Sequence, residues 1–483
     1  MKRLLRRLLT LVVLLVAVAA GRTLLLVDDV PAHPTPPASW RPNAAAAAER
    51  LAEAVRIPTI SSAPGVTDTA AFLAFHAWLA DRYPAAHAVL AREAVGESLL
   101  LTWPGERPEE PALLLASHMD VVPADPADWT HPPFGGVIAD GWIWGRGTLD
   151  DKFGVVGIME AVEALATEGF RPERTVILAF GHDEEVGGAA GAARMAALLA
   201  SRGVRIGMAL DEGLVITEGM LPAVDRPVAL VGLGEKGYLS VRLRTTATGG
   251  HASMPERETA VGVLAAAVAR IEGQPFAASL DGPARRLFDT VGPAMRWPLK
   301  MVMTNLWLFG PLVKRQLLAK PATAALVRTT TAATMLRAGT KENVLAREAE
   351  AVFNFRIRPG ETRQTVLAGL RERIDDPRVA IEPLPGMSMD PSPLSAAAGP
   401  HWDNLRSSIG AVFPKSIVAP SLVVGATDGR WYADVAEAVY RFGPLQLTGP
   451  DLARLHGIDE RISIDNFAAV ITFYHDLIQR TTK

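Results

Sequence analysis

His118 and Asp120 stand two residues apart just beyond Ala112–Ala116, an unbroken apolar run. A short run of that kind reads as a buried strand. A period of two puts both side chains on one side of its end. An imidazole beside a carboxylate at the C-terminal edge of a parallel sheet lies where open α/β sheets collect ligands. Three further acidic clusters follow. Asp150 and Asp151 come after Gly145-Arg-Gly-Thr-Leu, His182-Asp183-Glu184-Glu185 after Thr175–Phe180, and Asp211-Glu212 after Ile206–Leu210. Each alone has a plainer reading as a solvated loop, or as a helix cap in the case of Asp150 or Asp151. Together they place several carboxylates at strand ends, which is costly unless positive charge sits among them. The chain has no cysteine, so histidine and carboxylates must supply the donors. The pattern suits one or two divalent cations held by oxygen and nitrogen.

The elements that position these groups follow from periodicity. Val155, Ile158, Met159, Val162 and Leu165 recur at helical spacing before a stop at Gly169. A second helix is expected over 189–201, ended by Gly203. After Pro227, Leu239, Val241 and Leu243 alternate with Ser240, Arg242 and Arg244, the signature of a sheet with one wet face. A helix with Val261, Leu264, Val268 and Ile271 inward is expected next. Strands near 327–336 and 350–357 and a helix near 362–374 complete an α+β unit. Between 274 and 325 lies an apolar insertion with Trp297 and Trp307. Core or dimer packing is favoured for it over a membrane-facing or acyl-chain-binding surface. A short strand at 421–424 leads to Asp428 and Arg430, and a final helix from about Asp465 buries Phe467, Val470, Ile471, Tyr474 and Leu477.

Lys2, Arg3, Arg6 and Arg7 precede Leu8–Ala20, which carries no charge. That is the layout of an export segment. Ala17-Val18-Ala19 would suit cleavage, but apolar character resumes at Leu24–Val27, which favours a retained anchor over residues 1–30. The basic end stays cytoplasmic and the body is exported. A cleaved signal peptide and a secreted body are the alternative. A linker over 31–48 leads to the first helix. The net charge of −3 argues against nucleic acid as a partner.

Ser-His118-Met-Asp120, Gly-Arg-Gly-Thr-Leu-Asp150-Asp-Lys, His-Asp-Glu184-Glu185-Val-Gly-Gly and Asp211-Glu-Gly, in this order, resemble the M20 metallopeptidase family. The branch with carboxypeptidase S and the secreted N-acyl-amino-acid synthase/hydrolase looks most similar. The resemblance implies an α/β, zinc-peptidase-like catalytic domain with an inserted smaller α+β lid domain. Here the catalytic parts would span 49–235 and 389–483, and the lid 236–388 with its insertion near 274–325. It implies two zinc ions per subunit, with cobalt or manganese as substitutes. Asp150 would bridge them, His118 and Asp211 would complete one site, and Glu185 and His456 the other. Asp211 and Glu212 remain alternatives at that position. Asp120 would orient His118 and Glu184 would be the general base.

In the family's Gly-His-Ala-Ser motif the histidine, here His251, stabilises the oxyanion in a partner subunit's site, so a homodimer through the lid is expected. Asn343 and Arg356, with Arg358 as the alternative, resemble residues that hold the substrate carboxylate. Asp428 and Arg430 match the family's loop, whereas Ala426 and Gly429 depart from it. The expected activity is hydrolysis of an amide bond in a dipeptide or N-acyl amino acid. The competing class is a non-catalytic metal-binding scaffold that binds a partner protein, against which the presence of Glu184 speaks.

Overall fold

The computed structural model describes residues 2–25 and 35–483. The apolar residues Leu26 and Val27 and the start of the linker lie outside them. An eight-stranded mixed sheet forms the main layer. Its order from one edge is Ile417–Val423, Val228–Glu235, Ala436–Leu447, Ile206–Thr217, Ala112–His118, Val176–Gly181, Ser98–Trp103 and Ala91–Val95.

Ala112–His118 is buried at all seven positions, because both faces of the sheet are covered. Leu113 and Leu115 pack into the cluster that holds the helices Lys152–Thr167 and Ile464–Thr481. Ala112, Leu114 and Ala116 pack on the opposite side with Ala192–Ser201. Alternation is therefore hidden in the sequence: each face has its own apolar partner, and the strand reads as a continuous run. Ala112–His118 is parallel to both neighbours, with His118 opposite Gly181 and Leu115 opposite Leu210. Residues 118–120, 182–185 and 211–212 consequently gather at one sheet edge.

A second, four-stranded antiparallel sheet is inserted between Val228–Glu235 and Ile417–Val423. Its order is Thr330–Ala338, Glu348–Ile357, Gly237–Thr246 and Ala380–Pro383. Leu239, Val241 and Leu243 face inward opposite Phe355, Phe353 and Ala351, under the helices Ala260–Gly273 and Arg363–Ile374. Two local expectations change here. Val261 is 44% exposed, and Val263, Leu264, Ala267 and Ile271 form the buried stripe instead. Val327 ends a helix, Pro321–Val327, rather than opening a strand.

The insertion forms helices Pro283–Val291, Leu299–Thr304, Leu306–Leu318 and Pro321–Val327. Leu287, Val291, Met303, Leu306 and Val313 pack with Ile417 and Ala419 of the edge strand of the large sheet. Val228 and Leu230 of the neighbouring strand join the same cluster, so these helices cover one face of the sheet at its end.

Candidate active site

The last residue of Ala112–His118 points its imidazole at the loop before the helix Lys152–Thr167. His118 Nε2 lies 3.0 Å from Asp150 Oδ1. The other oxygen, Asp150 Oδ2, lies 3.0 Å from His456 Nε2, which in turn is 3.1 Å from Glu185 Oε2. One carboxylate thus meets two imidazoles through separate oxygens. Glu212 Oε1 approaches His118 Nε2 to 3.7 Å. His118, Asp150 and Glu185 form one group with donor atoms inside 4.8 Å, and His118, Glu184 and Glu212 form another.

Charge is poorly balanced in this cradle. Burial pushes the Glu184 and Glu212 carboxyls well above their usual range, and neighbouring carboxylates, among them Asp150, add to it. Burial opposes the His118 imidazolium, yet Asp120 and Asp150 overcome it and hold its pKa well above normal. Hydrogen bonds to Asp150 and Glu185 push His456 up to about 10. Glu185 Oε1 is buried with no hydrogen-bond partner. Crowded carboxylates, two facing imidazoles and a spare buried oxygen are the donor set that divalent cations fit.

Asp120 organises one half of the site. Its backbone carbonyl faces His118 Nδ1 at 2.9 Å. Its buried carboxylate accepts the backbone N–H groups of Glu184 at 3.2 Å and Glu185 at 3.1 Å. One residue thereby fixes the imidazole and the turn that carries both glutamates. Asp151 does not cap the helix with its side chain. It accepts from Ser117 Oγ and from the backbone N–H of His118, tying the loop of Asp150 to the strand end.

Glu460 organises the other half. Its buried carboxylate accepts the N–H groups of Gly147 (3.0 Å) and Leu149 (2.6 Å) and pairs with Arg146. Arg146 Nη2 also donates to the carbonyl of Gly457 at 3.0 Å. The segment that presents His456 is clamped in this way against the loop that presents Asp150. Nothing in the sequence reading singled out Glu460 or Arg146; their contact spans more than three hundred residues.

Asp211 was the favoured ligand from sequence, and here the structure differs. The strand does not stop at Leu210 but continues through Thr217, so Asp211 and Glu212 project to opposite sides. Asp211 Oδ2 accepts the N–H of Gly429, beside the fully buried Arg441. Glu212 is the one that reaches His118.

Asp428 also departs from its expected substrate contact. It is buried behind the strand end, against Gly181 and Gly188, where a Cβ would come within 2.6 Å and 1.9 Å of its carboxylate. Arg430 donates from Nη2 to the carbonyl of Gly187 at 2.7 Å, while its Nε and Nη1 are buried without partners. Arg356 stacks on Tyr238 at 4.6 Å. Arg358 instead pairs with Glu361 at 3.6 Å. His251 is exposed on a two-stranded ribbon of the smaller domain, and Asn343 is exposed in the turn just before that ribbon's second strand, Val344–Leu345. His251 Nδ1 lies 2.7 Å from Ser253 Oγ, and Asn343 accepts from Ala252 through its carbonyl. Among the described residues, none of these hydrogen bonds reaches the His118 cluster.

Beside the cluster lies a cavity of about 230 Å³. Asp150, Glu184, Glu185, Glu212 and His456 form its polar wall, and Phe153, Val215, Leu445, Leu447 and Leu455 its apolar wall.

Residues 114–480 match the model of peptidase family M20/M25/M40. The chain is 41% identical over 445 residues to probable carboxypeptidase S-like 2 of Dictyostelium discoideum, covering 90% of this chain and 85% of that one. It is 39% identical over 440 residues to the N-fatty-acyl-amino acid synthase/hydrolase PM20D1 of Xenopus tropicalis, again covering 90% and 85%. Among solved structures, the M20 family metallo-carboxypeptidase Sso-CP2 of Sulfolobus solfataricus superimposes with a TM-score of 0.64 at 16% identity, covering 90% of this chain and 99% of that one. Human carnosine dipeptidase 1 gives 0.59 at 14% identity, covering 90% and 96%. With motifs, fold and relatives in agreement, the chain belongs to peptidase family M20/M25/M40 and is an amide-bond hydrolase of its carboxypeptidase S and N-acyl-amino-acid hydrolase branch.

Proposed function

We propose that the protein is a two-zinc hydrolase that releases an amino acid from an N-acyl amino acid, with dipeptides as a second substrate class. The observation that carries this reading is the placement of Asp150, whose two oxygens face His118 and His456 separately. Asp150 would be shared by both cations, with His118 and Glu212 toward one and Glu185 and His456 toward the other. Two such cations, when bound, polarise the scissile carbonyl and acidify water. Glu184, held by its backbone to Asp120, takes the proton from the attacking water and returns it to the leaving nitrogen as the C–N bond breaks. The products are a carboxylic acid and a free amino acid.

The apolar wall of Phe153, Val215, Leu445, Leu447 and Leu455 favours an apolar acyl group over a polar one. Arg356 and Arg430 would take the substrate's carboxylate. Besides burial, Arg430 is what holds the Arg356 pKa below normal, so the two guanidiniums share a locus where an anion is welcome. The direct test is to load the protein with zinc and compare hydrolysis of N-acyl amino acids of rising chain length with that of dipeptides. No release from either class would overturn the reading.

The ligand assignment gives a sharper expectation. Glu212→Gln should weaken zinc binding by at least ~10–100-fold, the loss typical even of residues one step behind a metal ligand. Asp211→Asn should keep its zinc and instead lower thermal stability, since it sits beside Arg441. Zinc titration with melting curves distinguishes them, and the reverse outcome would restore Asp211 as ligand.

His251 would complete the site of a second copy. The edge strand Thr330–Ala338 is exposed from Ala332 onward, which leaves the smaller domain with an unpaired edge. Mixing inactive Glu184→Gln with inactive His251→Ala should then recover part of the activity. A monomer showing no rescue would rule this out. For location, the helix Lys2–Leu25, with a mean hydropathy of 2.4 over its apolar window, would anchor the body on the exported face of a membrane.

A further inference from the structure

Among the described residues, the N-terminal helix is buried against the body near its C-terminal end. Leu4, Leu11, Val13, Leu14 and Val18 are all at least half exposed, whereas Ala19 and Thr23 are fully buried. Their partner is Asn305, at the junction of the insertion helices Leu299–Thr304 and Leu306–Leu318. Asn305 Nδ2 donates to the Ala19 carbonyl at 3.2 Å and to Thr23 Oγ1 at 2.9 Å. The same amide accepts the indole N–H of Trp307 on its oxygen at 3.1 Å. A single buried side chain therefore fixes Trp307 beside the exported end of the anchor.

Around that point the insertion leaves Trp297 47%, Leu299 36%, Trp307 52% and Leu312 60% exposed. Over residues 283–327 the sequence holds seven basic residues and a single acidic one, Asp289, which pairs with Arg285, and Lys314, Arg315 and Lys320 are exposed. Half-exposed indoles, one of them tied by its N–H, leucines beside them and a mainly basic fringe are the composition of a surface that lies in a lipid interface. A water-facing patch would not need Trp307 fixed beside the anchor, and a protein partner would not require the fringe to be so strongly basic.

We propose that the insertion over residues 283–327 is a second membrane contact, resting Trp297, Leu299, Trp307 and Leu312 in the interface of the bilayer that the N-terminal helix crosses. This rests on the anchor reading and goes beyond it. The helix provides attachment, and the insertion fixes how the body stands on the surface. Anionic headgroups pair with the basic fringe while the indoles sit at headgroup level.

The test uses the full chain reconstituted in phosphatidylcholine–phosphatidylglycerol vesicles whose acyl chains carry bromine near the carbonyl end. The anchor helix contains no tryptophan, so quenching of indole emission reports the body alone. The protein is expected to float with the vesicles and to be quenched, and W297F/W307F is expected to float equally while losing most of that quenching. Failure to float would overturn the anchor and this contact with it. Flotation with quenching that the double substitution leaves unchanged would overturn the insertion's role and leave the anchor standing. Flotation without quenching, with a dimer that the substitution dissociates, would assign the patch to a second copy of the chain.

Discussion

Glu184→Gln is expected to leave the metal content intact while turnover falls by ~10²–10⁴, the usual contribution of a positioned general base. The substitution is nearly isosteric, and Asp120 binds the backbone N–H of Glu184 rather than its side chain, so the turn should stay in place. What is lost is the ability to accept a proton. Burial and the neighbouring carboxylates raise the affinity of Glu184 for that proton, which suits a group that must take one from water and give it up to an amine. Both kcat and kcat/KM should fall together, because the interaction develops only in the transition state. Metal analysis beside the kinetics decides the matter. Loss of zinc would move Glu184 into the ligand set, consistent with its closeness to His118 and Glu212, and another base would then be needed. A wild-type protein that binds zinc but turns over neither substrate class would favour the scaffold reading instead.

How much of this was visible in the sequence depends on which faces are covered. Ala112–Ala116 and Thr175–Phe180 read as strands because both sides of the large sheet are buried, so nearly every residue had to be apolar. The smaller sheet read equally well for the opposite reason: one face is wet, and the alternation at 239–244 shows it. The His118 and Glu184–Glu185 clusters stood out because several ionisable residues crowd the ends of apolar strands, whereas His456, a single histidine in a loop, was singled out only by its resemblance to the family's motif.

The choice between Asp211 and Glu212 could not be read the same way. A strand that continues beyond its apolar run gives no mark of which carboxylate faces the cluster and which faces Arg441. Val261 misled because Val263 and Ala267 offered an equally apolar stripe on the other side of the helix. In the insertion, the apolar content announced burial but not its partner. Some of it covers the sheet face at Ile417 and Ala419, and some remains exposed beside Asn305. Contacts that join remote segments leave no local signal, and the pairing of Arg146 with Glu460 is an example.

That pairing carries the last expectation. Glu460→Ala should destabilise the fold by ~3–5 kcal/mol, because it strands a fully buried guanidinium. It should also lower zinc affinity, since the segment of His456 would lose its hold on the loop of Asp150. Burial, helped by the nearby Asp150 carboxylate, pushes the Glu460 carboxyl up to about 7, against the pull of Arg146 and the N–H groups of Leu149 and Gly147, so the ion pair itself adds little over an apolar pair. Adding Arg146→Met to Glu460→Ala should therefore recover the part due to the stranded charge. It should not recover the part due to the N–H groups of Gly147 and Leu149, which would remain buried without an acceptor at ~1–3 kcal/mol each. Denaturant melts of the two single variants and the double, each with a zinc titration, separate these contributions. If Glu460→Ala melts and binds zinc like the wild type, the clamp is not what holds His456 in place. A double variant that regains full stability would instead show that the two N–H groups find water or another acceptor once the pair is gone.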